Sequence, residues 1–226
     1  MARQLQFALS LGLLLAGPVL AAPKLHCDAF GELRMQLEQN ATDGDSEVVL
    51  FAKGQDEGLK HLTVLSPNRR RLIADISGSR NGVGWREFAL ESAEPPDLGA
   101  VLASYPQGSY LFYGITISGD CLVGTATLSH AVAPPTTLLT PAELEVVPAN
   151  ELLLSWEDVP GAERYIVELN NEDTGAEMQF DVFPPATSLS VPPQFVVAGS
   201  EYQFVVGVEA ADGNATFVEL VFFIAP

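Results

Sequence analysis

Basic residues are scarce in this chain. Eleven lysines and arginines stand against 29 aspartates and glutamates, a formal net charge of −18. Such a field repels phosphate backbones, which makes DNA and RNA poor partners, and it repels anionic membrane surfaces as well. It favours solubility and cationic ligands or divalent ions. Cysteine is rarer still, with Cys27 and Cys121 alone, so there is neither a Cys-x-x-Cys redox pair nor a cysteine-rich zinc site. The histidines His26, His61 and His130 are scattered without zinc spacing. No Gly-x-Ser-x-Gly elbow and no glycine-rich phosphate loop precedes a helix. No catalytic or cofactor-binding residue is assigned, and no cofactor is expected.

The first residues read as a targeting segment. Arg3 supplies a positive start, residues 5–15 are apolar, Gly17 and Pro18 interrupt them, and Val19-Leu20-Ala21 offers small residues for cleavage after Ala21. The run is too short and too broken for a membrane span, and no second run of spanning length follows. The expected product is exported to the periplasm or beyond, with no membrane insertion after cleavage of residues 1–21. A lipoprotein is not expected, because His26 precedes Cys27 where a small residue is required. In an oxidising compartment Cys27 and Cys121 are expected to form one disulfide.

The remaining length suits two domains. Residues 23–134 carry 14 acidic and nine basic residues, whereas residues 135–226 carry 15 acidic residues and one basic residue, Arg164. Between them lies Ala133-Pro134-Pro135-Thr136-Thr137, a stiff linker. The expected domains are therefore 22–134 and 135–226.

What is abundant is period-two alternation between turn residues. Strands are expected over 32–39, 47–52, 59–65, 71–77, 85–91, 109–118 and 121–132, the last two joined by a hairpin at Gly119-Asp120. Asp97 is placed to cap a short helix over 98–102. About seven strands and little helix predict an all-β chain whose first domain is a small sandwich.

In the second half, Glu151-Leu152-Leu153-Leu154-Ser155-Trp156, then Gly161-Ala162 with Tyr165, then Val196, Gly199 and Tyr202 follow in order. These residues resemble a fibronectin type III domain over about 138–226. The resemblance implies an immunoglobulin-like sandwich with structural roles for all three aromatics: Trp156 as the core residue of the second strand, Tyr165 at the entry to the third, Tyr202 at the tyrosine corner. It also implies a scaffold or binding module without chemistry of its own. The loop Ala211-Asp212-Gly213-Asn214-Ala215 sits where some members hold an Arg-Gly-Asp tripeptide, which is absent here. In the first half, Tyr105-Pro106-Gln107-Gly108-Ser109-Tyr110-Leu111-Phe112-Tyr113-Gly114 and Gly124-Thr125-Ala126-Thr127-Leu128-Ser129-His130 are similar to a group of uncharacterised exported bacterial proteins. That resemblance implies no activity.

Among polar clusters, Asn40, Asp43, Asp45 and Glu47 form the metal candidate, since calcium takes several hard oxygens from alternate loop residues. The spacing is not that of an EF-hand, and Asp-Gly is also an ordinary turn signal. Asn170-Asn171-Glu172-Asp173-Thr174-Gly175 reads as a solvated hairpin turn, and Arg69-Arg70-Arg71 as an exposed turn. Asn40-Ala41-Thr42 and Asn214-Ala215-Thr216 match the glycosylation sequon, which a bacterial protein is not expected to use.

The function expected from these features is a non-catalytic interaction protein that recognises an unidentified protein or polysaccharide through loops and sheet edges. A carbohydrate-binding or small hydrolytic protein is the alternative, and paired carboxylates beside Trp85, Tyr105 or Tyr113 would favour it. A structural envelope component is a third reading, favoured by a bare edge along 217–224.

Overall fold

The computed structural model describes residues 27–79, 81–94 and 97–226. The expected signal segment, its cleavage point after Ala21, His26 and the pair Pro95-Pro96 lie outside the described residues. No helix among the described residues is long and apolar enough to cross a membrane.

The first half forms β1 (Glu32–Asn40), β2 (Ser46–Lys53), β3 (Leu59–Leu65), β4 (Leu72–Ser77), β5 (Glu87–Glu91), α1 (Leu98–Ser104), β6 (Gly108–Thr116) and β7 (Cys121–Leu128). Strand β2 alternates buried and half-buried residues along its whole length, because successive side chains leave a strand on opposite faces. Its inner face, with Met35 and Leu37 of β1, packs against Leu62, Val64, Tyr110 and Phe112 of the facing sheet β4-β3-β6-β7. Helix α1 is capped by the Asp97 carboxylate, which accepts the Gly99 N–H at 2.9 Å, and it buries Val101. A disulfide links Cys27 to Cys121 at the start of β7, beside an isolated bridge from Asp28 to Leu122.

The second half forms β8 (Leu138–Thr140), β9 (Val146–Val147), β10 (Leu153–Trp156), β11 (Arg164–Asn171), β12 (Ala176–Val182), β13 (Ser188–Ser190), β14 (Glu201–Glu209) and β15 (Ala215–Ile224). Sheet β13-β10-β8 faces β12-β11-β14-β15, the strand order of a fibronectin type III or immunoglobulin-like sandwich. Trp156 fills the space between the sheets and touches Tyr165, with ring centroids 5.4 Å apart. Tyr202 stacks on Phe222, and its hydroxyl accepts the Val197 N–H at 2.8 Å. That bond fixes the crossing from one sheet to the other. All-β architecture, two sandwiches and a fibronectin type III-like second half are thus the fold of the chain.

Four expected strands are shorter than the alternation suggested, β4 and β6 by a single residue and β5 and β7 by more. Strand β7 ends at Leu128 rather than at residue 132, because the chain leaves the sheet and Asn214 captures the carbonyls of Ser129 and Ala131. Strand β5 begins at Glu87 rather than at residue 85. Trp85 instead forms an isolated bridge with Leu59 and is 60% exposed.

The two halves share a sheet. Strand β1 pairs in parallel with β15 through Glu38–Ala215, Gln39–Thr216 and Asn40–Phe217. One eight-stranded sheet therefore runs β12-β11-β14-β15-β1-β2-β5, with β9 pairing the far end of β15. The loop between β14 and β15 is the clasp. Gln36 donates to the Gly213 carbonyl at 2.6 Å, Leu37 N–H donates to the Asn214 side-chain oxygen at 2.8 Å, and Thr216 donates to the Ala133 carbonyl at 2.6 Å. Gly213 has φ +86°, and a Cβ there would meet the Gln36 side chain at 3.3 Å, so glycine serves both the turn and the close approach. This is the loop where some fibronectin type III members hold an Arg-Gly-Asp tripeptide; here its Asn214 is fully buried.

Candidate functional site: an acidic cleft at the junction

Sharing the sheet creates a face that neither half has alone. Odd residues of β1 point into the first core, so Gln36, Glu38 and Asn40 lie on the opposite face. Paired residues share a face, which sets Glu47 beside Glu38, Phe217 beside Asn40, and Glu168, Val205 and Glu219 in one row. A cleft of about 270 Å³ opens here, lined among others by Glu38, Glu47, Glu94, Glu168, Phe217 and Glu219. Phe217 lies across Gly207. A Cβ on Gly207 would stand 2.4 Å from the ring, so the missing side chain lets the ring lie flat. Asn40 donates to Glu219 at 2.9 Å, and Thr42 accepts the Glu219 N–H at 3.0 Å. These bonds hold the β1–β2 turn against β15.

The carboxylates are crowded and partly removed from water. Burial, then the charges of Glu91, Glu168 and Glu209, push Glu38 up from 4.5 to about 7, with Arg34 acting the other way. Burial, then Glu38, Glu91 and Glu94, push Glu47 up to about 7 as well, helped by a hydrogen bond with Glu94. Burial also raises Glu168 above the usual carboxylate range. The nearby cations are already engaged. Arg34 contacts Glu32 at 3.0 Å and stacks over Phe51. Arg164 bridges Glu209 at 2.6 Å and Asp181 at 2.9 Å, and the Glu209 bond holds its proton even more firmly than usual. The cleft thus presents negative charge, carboxyl groups able to gain or lose protons near neutrality, and one aromatic floor.

Of the expected metal ligands, Asn40, Asp45 and Glu47 reach this cleft. They do not converge as a calcium loop. The Asn40 oxygen accepts the Thr42 N–H at 2.9 Å, and the exposed Asp43 carboxylate accepts the Asp45 N–H at 3.0 Å. Among the described residues, no group of three or more histidines, cysteines or carboxylates is arranged to hold a metal ion. His61 bonds Ser77 and Thr63 and contacts Asp75, while His130 bonds the Tyr105 carbonyl. Arg71 of the basic triplet donates to the carbonyl of Ser104 at the end of α1. The 170–175 segment is a hairpin turn closed by the Asn171 side chain, which accepts from Asp173 and Thr174 N–H. Glu38, Glu168, Phe217 and Glu219 were not singled out from the sequence. A parallel pairing between residues about 177 positions apart leaves no local pattern.

No protein-family model matches the chain. No curated protein matches it by sequence either. Solved structures similar to it include a two-domain fibronectin type III segment of chicken tenascin, with a TM-score of 0.31 and 12% identity over 86% of this chain and 98% of that one. The FN1–FN3 domains of chicken CNTN1 give 0.30 and 11% over 86% and 64%. A bacterial ice-binding adhesin involved in host cell surface retention gives 0.30 and 12% over 88% and 66%. The chain spans just under two thirds of the length of the last two. At such TM-scores the likeness carries no argument, and the fold rests on strand order.

Proposed function

We propose that this chain is an exported, non-catalytic interaction protein that binds a cationic segment of a partner along the acidic outer face of its shared sheet. Residues 22–134 and 135–226 are its two domains, and the recognition face exists only where they join. The observation that carries this reading is the cleft itself, where Glu38, Glu47, Glu168 and Glu219 line one surface over a Phe217 floor. A chain of cationic side chains can follow carboxylates spread along a face, whereas a single metal ion needs them around one point. The disulfide supports an oxidising compartment, as does the targeting segment read from residues 1–21. Along the edge 217–224, whose exposure would favour an envelope-assembly role, Phe217 pairs with β1 and Phe223 and Ile224 with β9, and between them Glu219 N–H donates to Thr42, Val221 N–H donates to Glu143, and the Val221 carbonyl accepts the Leu144 N–H.

Calorimetric titration with a lysine decapeptide tests this reading. Binding should strengthen from pH 6 to pH 8.5, as Glu38 and Glu47 lose their protons, and weaken with added salt. The double variant Glu38→Gln/Glu47→Gln should lose about threefold to tenfold in affinity at pH 8.5. Equal binding by parent and variant would overturn it.

A carbohydrate-directed hydrolase is the second reading, favoured by two carboxyls held near pH 7 on adjacent strands. Trp85, Tyr105 and Tyr113 do not line the cleft, so the expected sugar platform is not beside these carboxyls. Release of aryl leaving groups from aryl glycosides, lost in Glu38→Gln, would move the assignment to this reading.

A further inference from the structure

A second surface lies at the β12 edge of the shared sheet, one strand beyond Glu168 of the acidic cleft. Strand β12 is the terminal strand there, paired only with β11 among the described residues. The hydrogen-bond pattern shows which of its backbone groups are free. Glu172 N–H donates to the Glu201 carbonyl on the β14 side. Alternation along an antiparallel ladder then directs the backbone groups of Asn170, Glu168 and Ile166 to β14 and those of Asn171, Leu169 and Val167 to β12. Their β12 partners, Ala176, Met178 and Phe180, bond inward. Glu177, Gln179 and Asp181 turn their N–H and C=O groups outward, which is an open template for another strand.

Beside that edge runs an apolar groove of about 230 Å³, lined by Met178, Phe180, Leu189, Val191, Pro192 and Phe195. Phe195 is 57% exposed, so the groove wall stands in water. Its floor lies on the inner face of β12, and the opposite face carries Glu177, Gln179 and Asp181. A strand added at this edge would therefore send alternate side chains into the apolar groove and the others toward acidic groups. A second copy of this chain fits poorly, because residues 135–226 hold 15 acidic residues and one basic residue, Arg164, already bound to Asp181 and Glu209. Copies meeting edge to edge would set like charges opposite each other.

We propose that β12 and its groove form a strand-addition site for an extended segment in which lysine or arginine alternates with apolar residues. Backbone pairing to Glu177, Gln179 and Asp181 holds the segment, apolar side chains fill the groove, and basic side chains meet the acidic face. The assignment does not depend on the acidic cleft.

The test titrates a synthetic decapeptide of alternating lysine and valine into the full chain while amide hydrogen exchange is followed. Bound peptide should slow exchange at Glu177, Gln179 and Asp181. Gln179→Pro removes an outward N–H and leaves the β11 ladder intact, and Phe195→Ser opens the groove wall. Each should weaken binding by about tenfold, whereas Glu38→Gln/Glu47→Gln should leave the protection at β12 unchanged. Binding without protection in β12, or equal binding by both edge variants, would overturn the site. A concentration-dependent dimer abolished by Gln179→Pro would overturn the partner, since a second copy would then occupy the edge.

Discussion

The side-chain oxygen of Asn214 accepts the backbone N–H of Leu37 at 2.8 Å, joining a loop of the second sandwich to a core strand of the first. The same side chain donates to the Ser129 and Ala131 carbonyls. Its side-chain oxygen and its amide nitrogen are thus both engaged inside the junction. Asn214→Ala would strand the Leu37 N–H and two carbonyls in a buried place, at a cost of about 2–4 kcal/mol. The expected result is a lower melting temperature and faster amide exchange in β1. An unchanged melting temperature would mean that the clasp contributes nothing.

This clasp marks the limit of what was legible in the sequence. Trp156, Tyr165 and Tyr202 are buried in the core of the second sandwich, each packed against residues of its own half, where local alternation sets its side. The Cys27–Cys121 bridge was also legible, since two cysteines in an oxidising compartment leave one pairing. Asn214 was not. Asp212-Gly213-Asn214 reads as an ordinary exposed turn, and nothing nearby says that another sheet approaches it. Glu38 was missed for the same reason. Its alternation with Leu37 correctly places it on a solvent-side face, but Glu168 and Glu219 reach that face only through the parallel pairing of β1 with β15.

Gly207 and Phe217 are coupled by space. Gly207→Ala places a Cβ against the ring and should cost about 1–3 kcal/mol through overpacking. Phe217→Ala should restore most of that loss in the double variant, because it removes the atoms being struck. A double-mutant cycle by chemical denaturation measures the coupling. Additive losses would show that the ring has another place to go.

Stability should fall as pH rises through the cleft carboxyls. Glu38 keeps its proton to about 7 in the folded chain, against an ordinary value of 4.5. Between those values the folded state binds more protons than the unfolded state, so rising pH favours unfolding until about pH 7 and has no further effect through this group above it. Glu38→Gln should match the parent below pH 4.5 and exceed it by on the order of 2–3 kcal/mol at pH 8. Melting curves of both proteins across this range give the answer, and parallel profiles would refute the linkage.

Calcium should not stabilise the β1–β2 turn. Asn40 and Asp43 each spend a side-chain oxygen on a turn N–H, and the carboxylates do not converge. Calcium added after chelation should leave the melting temperature unchanged. A rise that grows with calcium concentration, as ligand linkage requires, would contradict this.

Carboxyl-carbon NMR titration of Glu38 and Glu47 tests the central claim most directly, because burial and then the charges of Glu91, Glu168 and Glu209 raise Glu38, the last two from the second sandwich, whereas the charges that raise Glu47 all belong to the first. The account predicts midpoints near 7 for both, with that of Glu38 moving back toward 4.5 in Asn214→Ala as the junction loosens. Midpoints near 4.5 in the parent chain would mean that water reaches both groups freely, and that the acidic cleft does not form.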